Sequence, residues 1–307
     1  VTEPIGIAGE GAWGRALAHV AARAGQSVVS WARDRDPGIL AGSKVIVLAV
    51  PAQACREVLR CLAPVLSRGL PLIIAAKGIE QTTGRFMHEV ADEEAPKCSA
   101  MVLSGPSFAA DVMRDLPTAV TLAGPTLAEA ARIAGWFAGP AFRVYASDDV
   151  RGVEIGGALK NVLAIACGIS DGRGLGDSAR AALTTRGFAE LMRFGRKLGA
   201  QPDTLTGLSG LGDLLLTCSS RQSRNYGFGF AIGRGSSPAQ ARATITGVIE
   251  GAHTASIAAA LAGRHGIDMP IVRAVHAIID EGAAPGDEIS RLMQRPLRPE
   301  FAGREET

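Results

Sequence analysis

Residues 5–31 constrain this chain more than any other stretch. Apolar Ile5-Gly6-Ile7-Ala8 runs straight into Gly9-Glu10-Gly11-Ala12-Trp13-Gly14, and apolar residues then recur at Trp13, Ala16, Leu17, Val20, Ala21 and Ala24. The first run reads as a strand, and the 3.6-residue spacing after it predicts a helix. A second apolar run at 27–31 closes the unit. Strand, glycine turn and helix make a seat for a pyrophosphate. Gly9 permits the tight turn, Gly11 lets the backbone approach the phosphates, and Gly14 lets the helix pack closely on the sheet. Unpaired N–H groups at the helix start then face the anion. A turn of this kind, taken alone, also fits a tight bend that binds nothing.

Strand-like and helix-like segments go on alternating to about residue 147. Apolar runs at 45–50, 70–75, 101–103, 118–122 and 142–145 predict strands. Helical spacing follows Pro51 as far as Leu66 and recurs at 84–94 and 127–138. Repeated alternation implies a Rossmann-type α/β fold with a doubly wound, mostly parallel sheet, and ligands bind beyond the carboxyl ends of such strands. After Ser147-Asp148-Asp149 the strand runs stop. Helical periodicity continues, with helices expected at 150–167, 178–198, 247–265 and 270–281. The chain therefore divides into a dinucleotide-binding domain, 1–147, and an all-helical substrate and catalytic domain, 148–307. The tail from Arg295 reads as loosely held.

Composition narrows the partners. With 32 basic and 30 acidic residues, net charge is +2, and no basic block or basic–aromatic alternation appears. Nucleic acid is not an expected partner. Five cysteines, Cys55, Cys61, Cys98, Cys167 and Cys218, form no C-x-x-C pair. Each is expected as a small apolar core residue in a reducing compartment, with no metal site. The first residues do not read as a signal peptide, and the run 45–50 falls far short of the roughly 20 residues a membrane span needs. A cytoplasmic protein without membrane insertion is the expectation.

Several residues point to chemistry. Lys160 lies in Gly156-Gly157-Ala158-Leu159-Lys160-Asn161, inside an apolar helix. A helical side chain leans over the preceding turn, here two glycines, which leaves room for a small ligand and partly desolvates the ammonium. Such a lysine is a better proton donor near neutral pH. Lys77 directly follows a strand, where a cation faces the crevice, although an ordinary turn lysine would read the same. Ser104-Gly105-Pro106-Ser107-Phe108 begins at another strand end and offers N–H groups and a hydroxyl; a bare helix cap would look alike. Gly207-Leu208-Ser209-Gly210-Leu211-Gly212-Asp213-Leu214 is a glycine-rich turn into a helix, with Asp213 either a first-turn acid or an orienting carboxylate. Gln222-Ser223-Arg224-Asn225 sets a guanidinium beside a helix start, a sound phosphate site or a capped helix with a solvated arginine.

Together with Val248-Ile249-Glu250-Gly251, these motifs resemble the bacterial NAD(P)-dependent glycerol-3-phosphate dehydrogenase family, in order and across nearly the whole chain. The resemblance implies hydride exchange between a nicotinamide and C2 of dihydroxyacetone phosphate or sn-glycerol 3-phosphate, supplying phospholipid synthesis, in a homodimer. It makes Lys160 the general acid/base. Lys77, Gly105, Ser107, Asp213, Ser223, Arg224 and Asn225 would line the substrate site. Ala12, Trp13, Arg33, Lys77, Ala109, Arg224, Val248 and Glu250 would approach the cofactor, beside Gly9, Gly11 and Gly14. Asn161, Asp213 and Thr217 would position the lysine; Asp213 and Thr217 are four apart, hence on one helix face.

Cofactor choice is read at Trp31-Ala32-Arg33-Asp34. Arg33 suits a 2′-phosphate and Asp34 a 2′-hydroxyl, so NADP(H) is the preferred partner and NAD(H) is admitted. The chain departs from the family at 36–43, which is much shorter than usual and flanks the adenine side of the crevice. Glu10 and Arg15 are also unusual, and Glu10 is unfavourable near a pyrophosphate unless it turns outward. Two other readings share parts of the pattern: a β-hydroxyacid dehydrogenase of the 6-phosphogluconate type, and a nucleotide-sensing protein without catalysis. The Gln222–Asn225 block with Lys77-Gly78 speaks against the first.

Overall fold

Short apolar runs become seven strands in the computed structural model, which describes residues 3–296. These are β1 Ile5–Ala8, β2 Val28–Trp31, β3 Val45–Leu48, β4 Pro71–Ile74, β5 Ser99–Ser104, β6 Thr118–Ala123 and β7 Phe142–Ser147. They form one sheet in the order β2-β1-β3-β4-β5-β6-β7. All pairings are parallel except β5–β6, which is antiparallel. The reversal has a functional consequence. The carboxyl ends of β1 to β5 lie along one edge, whereas β6 and β7 end on the opposite edge.

The central strands are buried on both faces, as parallel strands between helices must be. Side chains alternate accordingly. Ile5, Ile7, Val45, Val47 and Ile73 join a core with α1 Ala12–Arg23 and α5 Leu127–Ala134. Ala8, Ile46, Leu48, Leu72 and Ile74 join a second core with α2 Cys55–Leu62 and α3 Met87–Glu94. A one-turn α4, Ala109–Val112, links β5 to β6.

After Asp149 the described residues carry helices and no further strand, from Val150 to Met293. α6, Val150–Gly172, is buried along almost its whole length. It is long and apolar enough to span a membrane, yet its window is 100% enclosed by protein. Around it pack α7 Asp177–Lys197, α9 Asp213–Cys218, α10 Arg224–Gly233, α12 Glu250–Arg264 and α13 Pro270–Asp280. α8 Pro202–Thr206, α11 Pro238–Ala243 and α14 Pro285–Met293 complete the set. A helix of 23 residues spans about 35 Å, enough to run from the β7 end back to the ligand edge of the sheet.

Several expected boundaries shift. The segment after Pro51 is not one helix but a 3-10 turn, α2, and a second 3-10 turn at Ala63–Val65, because Pro64 lacks the N–H that would continue α2. The helix expected from Gly84 starts at Met87, since Gly84 has φ +71° and Ile79 bridges to Phe86. α5 stops at Ala134 and α6 runs five residues beyond Cys167. α8, α11 and α14 were not among the expected helices. Cys55, Cys167 and Cys218 are buried as anticipated; Cys98 is only half-buried, and Cys61 is exposed on the outer face of α2, which corrects its core reading. The loosely held tail lies outside the described residues from 297 onward.

Candidate active site

The glycine turn has the geometry its residues require. Gly9 has φ +117°, and a Cβ there would sit 2.4 Å from the Ala49 carbonyl oxygen. A Cβ on Gly14 would lie 1.8 Å from the Gly9 oxygen, so only glycine lets α1 approach this closely. Above Gly11 the space is open. Gly11 is the N-cap of α1 and offers no side-chain cap, and the first turn holds no acidic residue. The helix N-terminus therefore keeps its N–H groups and partial positive charge for an anion. Trp13 Nε1 is a buried donor without a protein partner. These features fit a dinucleotide. Glu10, flagged as unfavourable, turns to Arg35, which grips it through Nη1 at 2.7 Å and Nη2 at 3.1 Å. Arg15 donates to the Glu10 carbonyl at 2.6 Å.

A second centre forms where α6 crosses the ends of β4 and β5. Lys160, 7% exposed, donates to Asp213 Oδ1 at 2.6 Å and to Thr217 Oγ1 at 2.9 Å. Lys77 donates to the other oxygen, Asp213 Oδ2, at 2.8 Å and to the Gly105 carbonyl at 3.0 Å. Thr217 Oγ1 in turn donates to the Asp213 carbonyl at 2.6 Å, one turn back along α9. One buried carboxylate thus holds two ammonium groups. Each ammonium has three protons and spends two, leaving one for a ligand. Burial brings Lys160 down to about 8, with the Lys77 charge adding to the fall and Asp213 opposing it.

The two glycines before Lys160 act differently from expectation. A Cβ on Gly156 would sit 2.5 Å from the Ser209 carbonyl, and one on Gly157 would sit 2.6 Å from Ser104 Oγ. They admit neighbouring protein rather than a ligand. Gly156 receives the π-turn Leu208–Gly212 that delivers Asp213, and Gly157 receives the end of β5. The space is needed for assembling the centre.

An amide relay joins the remaining elements. Asn161 donates to the Lys77 and Gly157 carbonyls at 3.4 Å each. Its oxygen accepts from Asn225 Nδ2 at 2.9 Å, and Asn225 Oδ1 accepts from the Gly251 N–H at 2.9 Å. Next to Gly251, Glu250 Oε1 accepts from the Ala52 N–H at 3.1 Å, tying α12 to the end of β3. Glu250 Oε2 is buried without a partner, and burial raises this carboxyl above its usual range. Gly105, at φ +147°, would place a Cβ 2.8 Å from Val120 Cα; its carbonyl also accepts from Ser107 Oγ at 3.0 Å. Ser223 caps α10 through the Tyr226 N–H at 3.2 Å. Arg224 is exposed at the first position of α10, with Nη1 against the Gly247 backbone beside Val248.

The two centres together gather most of the expected residues. Arg33 stays outside the lysine centre, exposed and 3.4 Å from Glu57. Ala12 and Ala109 open the first turns of α1 and α4. Ser104 and Ser209, both with buried hydroxyls lacking partners, flank the Gly156-Gly157 pair and were not anticipated. Both lie within motifs singled out in the sequence, but nothing there set either serine against the Gly-Gly pair, which calls for two close neighbours without naming them. A cavity of about 850 Å³ between α6, α7, α13 and α14 takes none of the site residues into its lining.

Family models decide the lineage. The model described as NAD-dependent glycerol-3-phosphate dehydrogenase N-terminus matches residues 4–40 and 37–130, and the C-terminus model matches residues 149–290. The chain belongs to the NAD-dependent glycerol-3-phosphate dehydrogenase family. It is 50% identical over 327 aligned positions to a glycerol-3-phosphate dehydrogenase [NAD(P)+] of Methylobacterium radiotolerans, covering 97% of this chain and 98% of that one. A homologue of the same description from Azorhizobium caulinodans is 52% identical, over 96% and 98% of the two chains. The crystal structure of glycerol-3-phosphate dehydrogenase from Coxiella burnetii superposes with a TM-score of 0.91 at 38% identity, covering 95% of this chain and 99% of that one. The two pieces of the N-terminal match meet at 37–40. That is the 3-10 turn Pro37–Leu40, the whole of what the shortened segment contributes to regular structure.

Proposed function

We propose that this chain interconverts dihydroxyacetone phosphate and sn-glycerol 3-phosphate, with NADPH as preferred hydride carrier and NADH accepted. The observation that carries this reading is the pair of ammonium groups on Asp213, each with a proton to spare, at the carboxyl ends of β4 and β5 beside a dinucleotide seat. A reduced nicotinamide, when bound in the glycine-turn seat, would supply the hydride for C2. As negative charge develops on the C2 oxygen, Lys160 stabilises it and transfers its free proton, leaving a neutral amine. In the reverse direction the amine takes that proton back. With its acidity brought near neutrality by burial, Lys160 suits both directions.

The other residues hold the reactants. Asp213 and Thr217 fix the Lys160 Nζ, and Asn161 steadies the Lys77 strand end. Lys77, Gly105 and Ser107 face the substrate. Arg224, with Ser223 and Asn225 at the start of α10, anchors its phosphate, and that remote grip holds C2 in place. Asn225 commits its oxygen to Gly251 and one amide proton to Asn161, so its second amide proton serves the ligand. Gly9, Gly11, Ala12, Trp13 and Gly14 cradle the pyrophosphate, while Arg33, Ala109, Val248 and Glu250 border the cofactor. In this reading residues 1–147 bind the dinucleotide and 148–307 carry the chemistry. The family likeness supports a role in supplying phospholipid precursors, a homodimer and a cytoplasmic location, and the free cysteines accord with a reducing compartment.

Purified protein mixed with NADPH and dihydroxyacetone phosphate tests the reading by absorbance of the reduced nicotinamide. Substrate-dependent loss is expected. Binding of NADPH without turnover would instead favour a sensor, and turnover with phosphogluconate alone would favour the β-hydroxyacid dehydrogenase reading.

A further inference from the structure

Two arginines follow β2, and each is already held by a carboxylate. Arg33 Nη1 lies 3.4 Å from Glu57, a loose contact between well-exposed side chains. Arg35 is held more firmly, by both oxygens of Glu10 at 2.7 and 3.1 Å. Its carbonyl accepts from the buried Trp31 Nε1 at 2.8 Å, which fixes the Arg35 backbone against the end of β2. Ala8 pairs with Trp31, and the Gly9 N–H donates to the Trp31 carbonyl at 2.9 Å. The glycine turn and the residues after β2 are therefore direct neighbours. Glu10 stands between Gly9 and Gly11, so its carboxylate and Arg35 both border the place where an adenine ribose meets the end of β2.

Resting on the dinucleotide reading above, we propose that Arg35 is a second recognition group for the 2′-phosphate, and that Glu10 restrains it and so sets the preference between the two dinucleotides. A bidentate carboxylate occupies the same planar fork that a phosphate would take. A 2′-phosphate draws Arg35 from Glu10 and meets the repulsion of that carboxylate. A 2′-hydroxyl makes no such demand, so the unphosphorylated dinucleotide leaves the pair intact. Both side chains are partly exposed, 49% for Arg35 and 34% for Glu10, which lets the guanidinium swing without opening the core. The shortened crossover, with its single 3-10 turn, leaves this edge to side chains alone.

Direct titration of NADPH and NADH by nicotinamide fluorescence tests this, with wild type, Glu10→Gln and Arg35→Gln compared at low and moderate salt. Glu10→Gln is expected to tighten NADPH about fivefold and to move NADH by less than about twofold. Arg35→Gln is expected to weaken NADPH about tenfold, again sparing NADH, with the loss shrinking as salt rises. Equal changes for both dinucleotides in either variant would show a clamp on the glycine turn and overturn the proposal. So would an unchanged NADPH-to-NADH ratio in both. A wild type that binds neither dinucleotide would overturn the dinucleotide reading itself, whereas unchanged ratios with intact binding defeat only the role of Arg35.

Discussion

The dinucleotide seat and the lysine centre are built on opposite principles. In the seat, recognition is backbone: open space above Gly11, an uncapped helix start, and an α1 brought within reach because Gly14 has no Cβ. At the lysine centre, recognition is side chain, and nearly every polar atom is already engaged inside the protein. The seat leaves its donors unpaired until a ligand arrives. The centre spends most of its donors on holding itself together and keeps one proton per lysine. The comparison separates two tasks. A pyrophosphate needs only a shaped surface of N–H groups, whereas proton transfer needs one amine with a tuned acidity and a fixed position.

The largest test of that separation is Lys160→Ala. Turnover should fall about 10³-fold, while NADPH affinity, measured by fluorescence titration, stays within about threefold. Gly14→Ala should do the converse. The added methyl meets the Gly9 carbonyl, α1 is pushed off, and NADPH binding weakens by about 100-fold, as read by the same titration. A loss of nucleotide binding in the lysine variant would merge the two regions into one. Asp213→Asn is expected to reduce kcat/KM about 30-fold and to lower the apparent pKa of Lys160, because the carboxylate that favours its charged form is gone while burial and Lys77 remain. The pH–rate profile of that variant checks it: the alkaline limb of ketone reduction should move to lower pH. Smallest is the shift in dinucleotide preference on Glu10→Gln, which acts on the seat alone.

How much was legible in the sequence follows the same division. The seat was readable residue by residue, because a glycine required by backbone approach leaves its mark at a fixed spacing within six positions. The strands were readable as apolar runs, with ends shifted by one or two residues. Residue by residue, the lysine centre was legible only as separate suspects, and it was the family resemblance that set Asp213 and Thr217 beside Lys160. Lys160 meets Asp213 across 53 residues of chain and Lys77 meets Asp213 across 136, and no local pattern encodes such a meeting. The Gly156-Gly157 pair was read correctly as a missing surface but for the wrong occupant, since sequence spacing does not say whether a ligand, a serine hydroxyl or a π-turn will fill the gap. The direction of β6 was equally silent: a strand reads alike in parallel and antiparallel sheets when both faces are covered.

The central claim is that Lys160 is the group that exchanges a proton with the C2 oxygen. The pH dependence of kcat/KM, measured in both directions with saturating dinucleotide, tests it most directly. Reduction needs the ammonium and should fall as pH rises through about 8; oxidation needs the free amine and should rise through the same point. Rates that stay flat from pH 7 to 9.5 in both directions (a span of about two to three units around the expected inflection) would contradict the account.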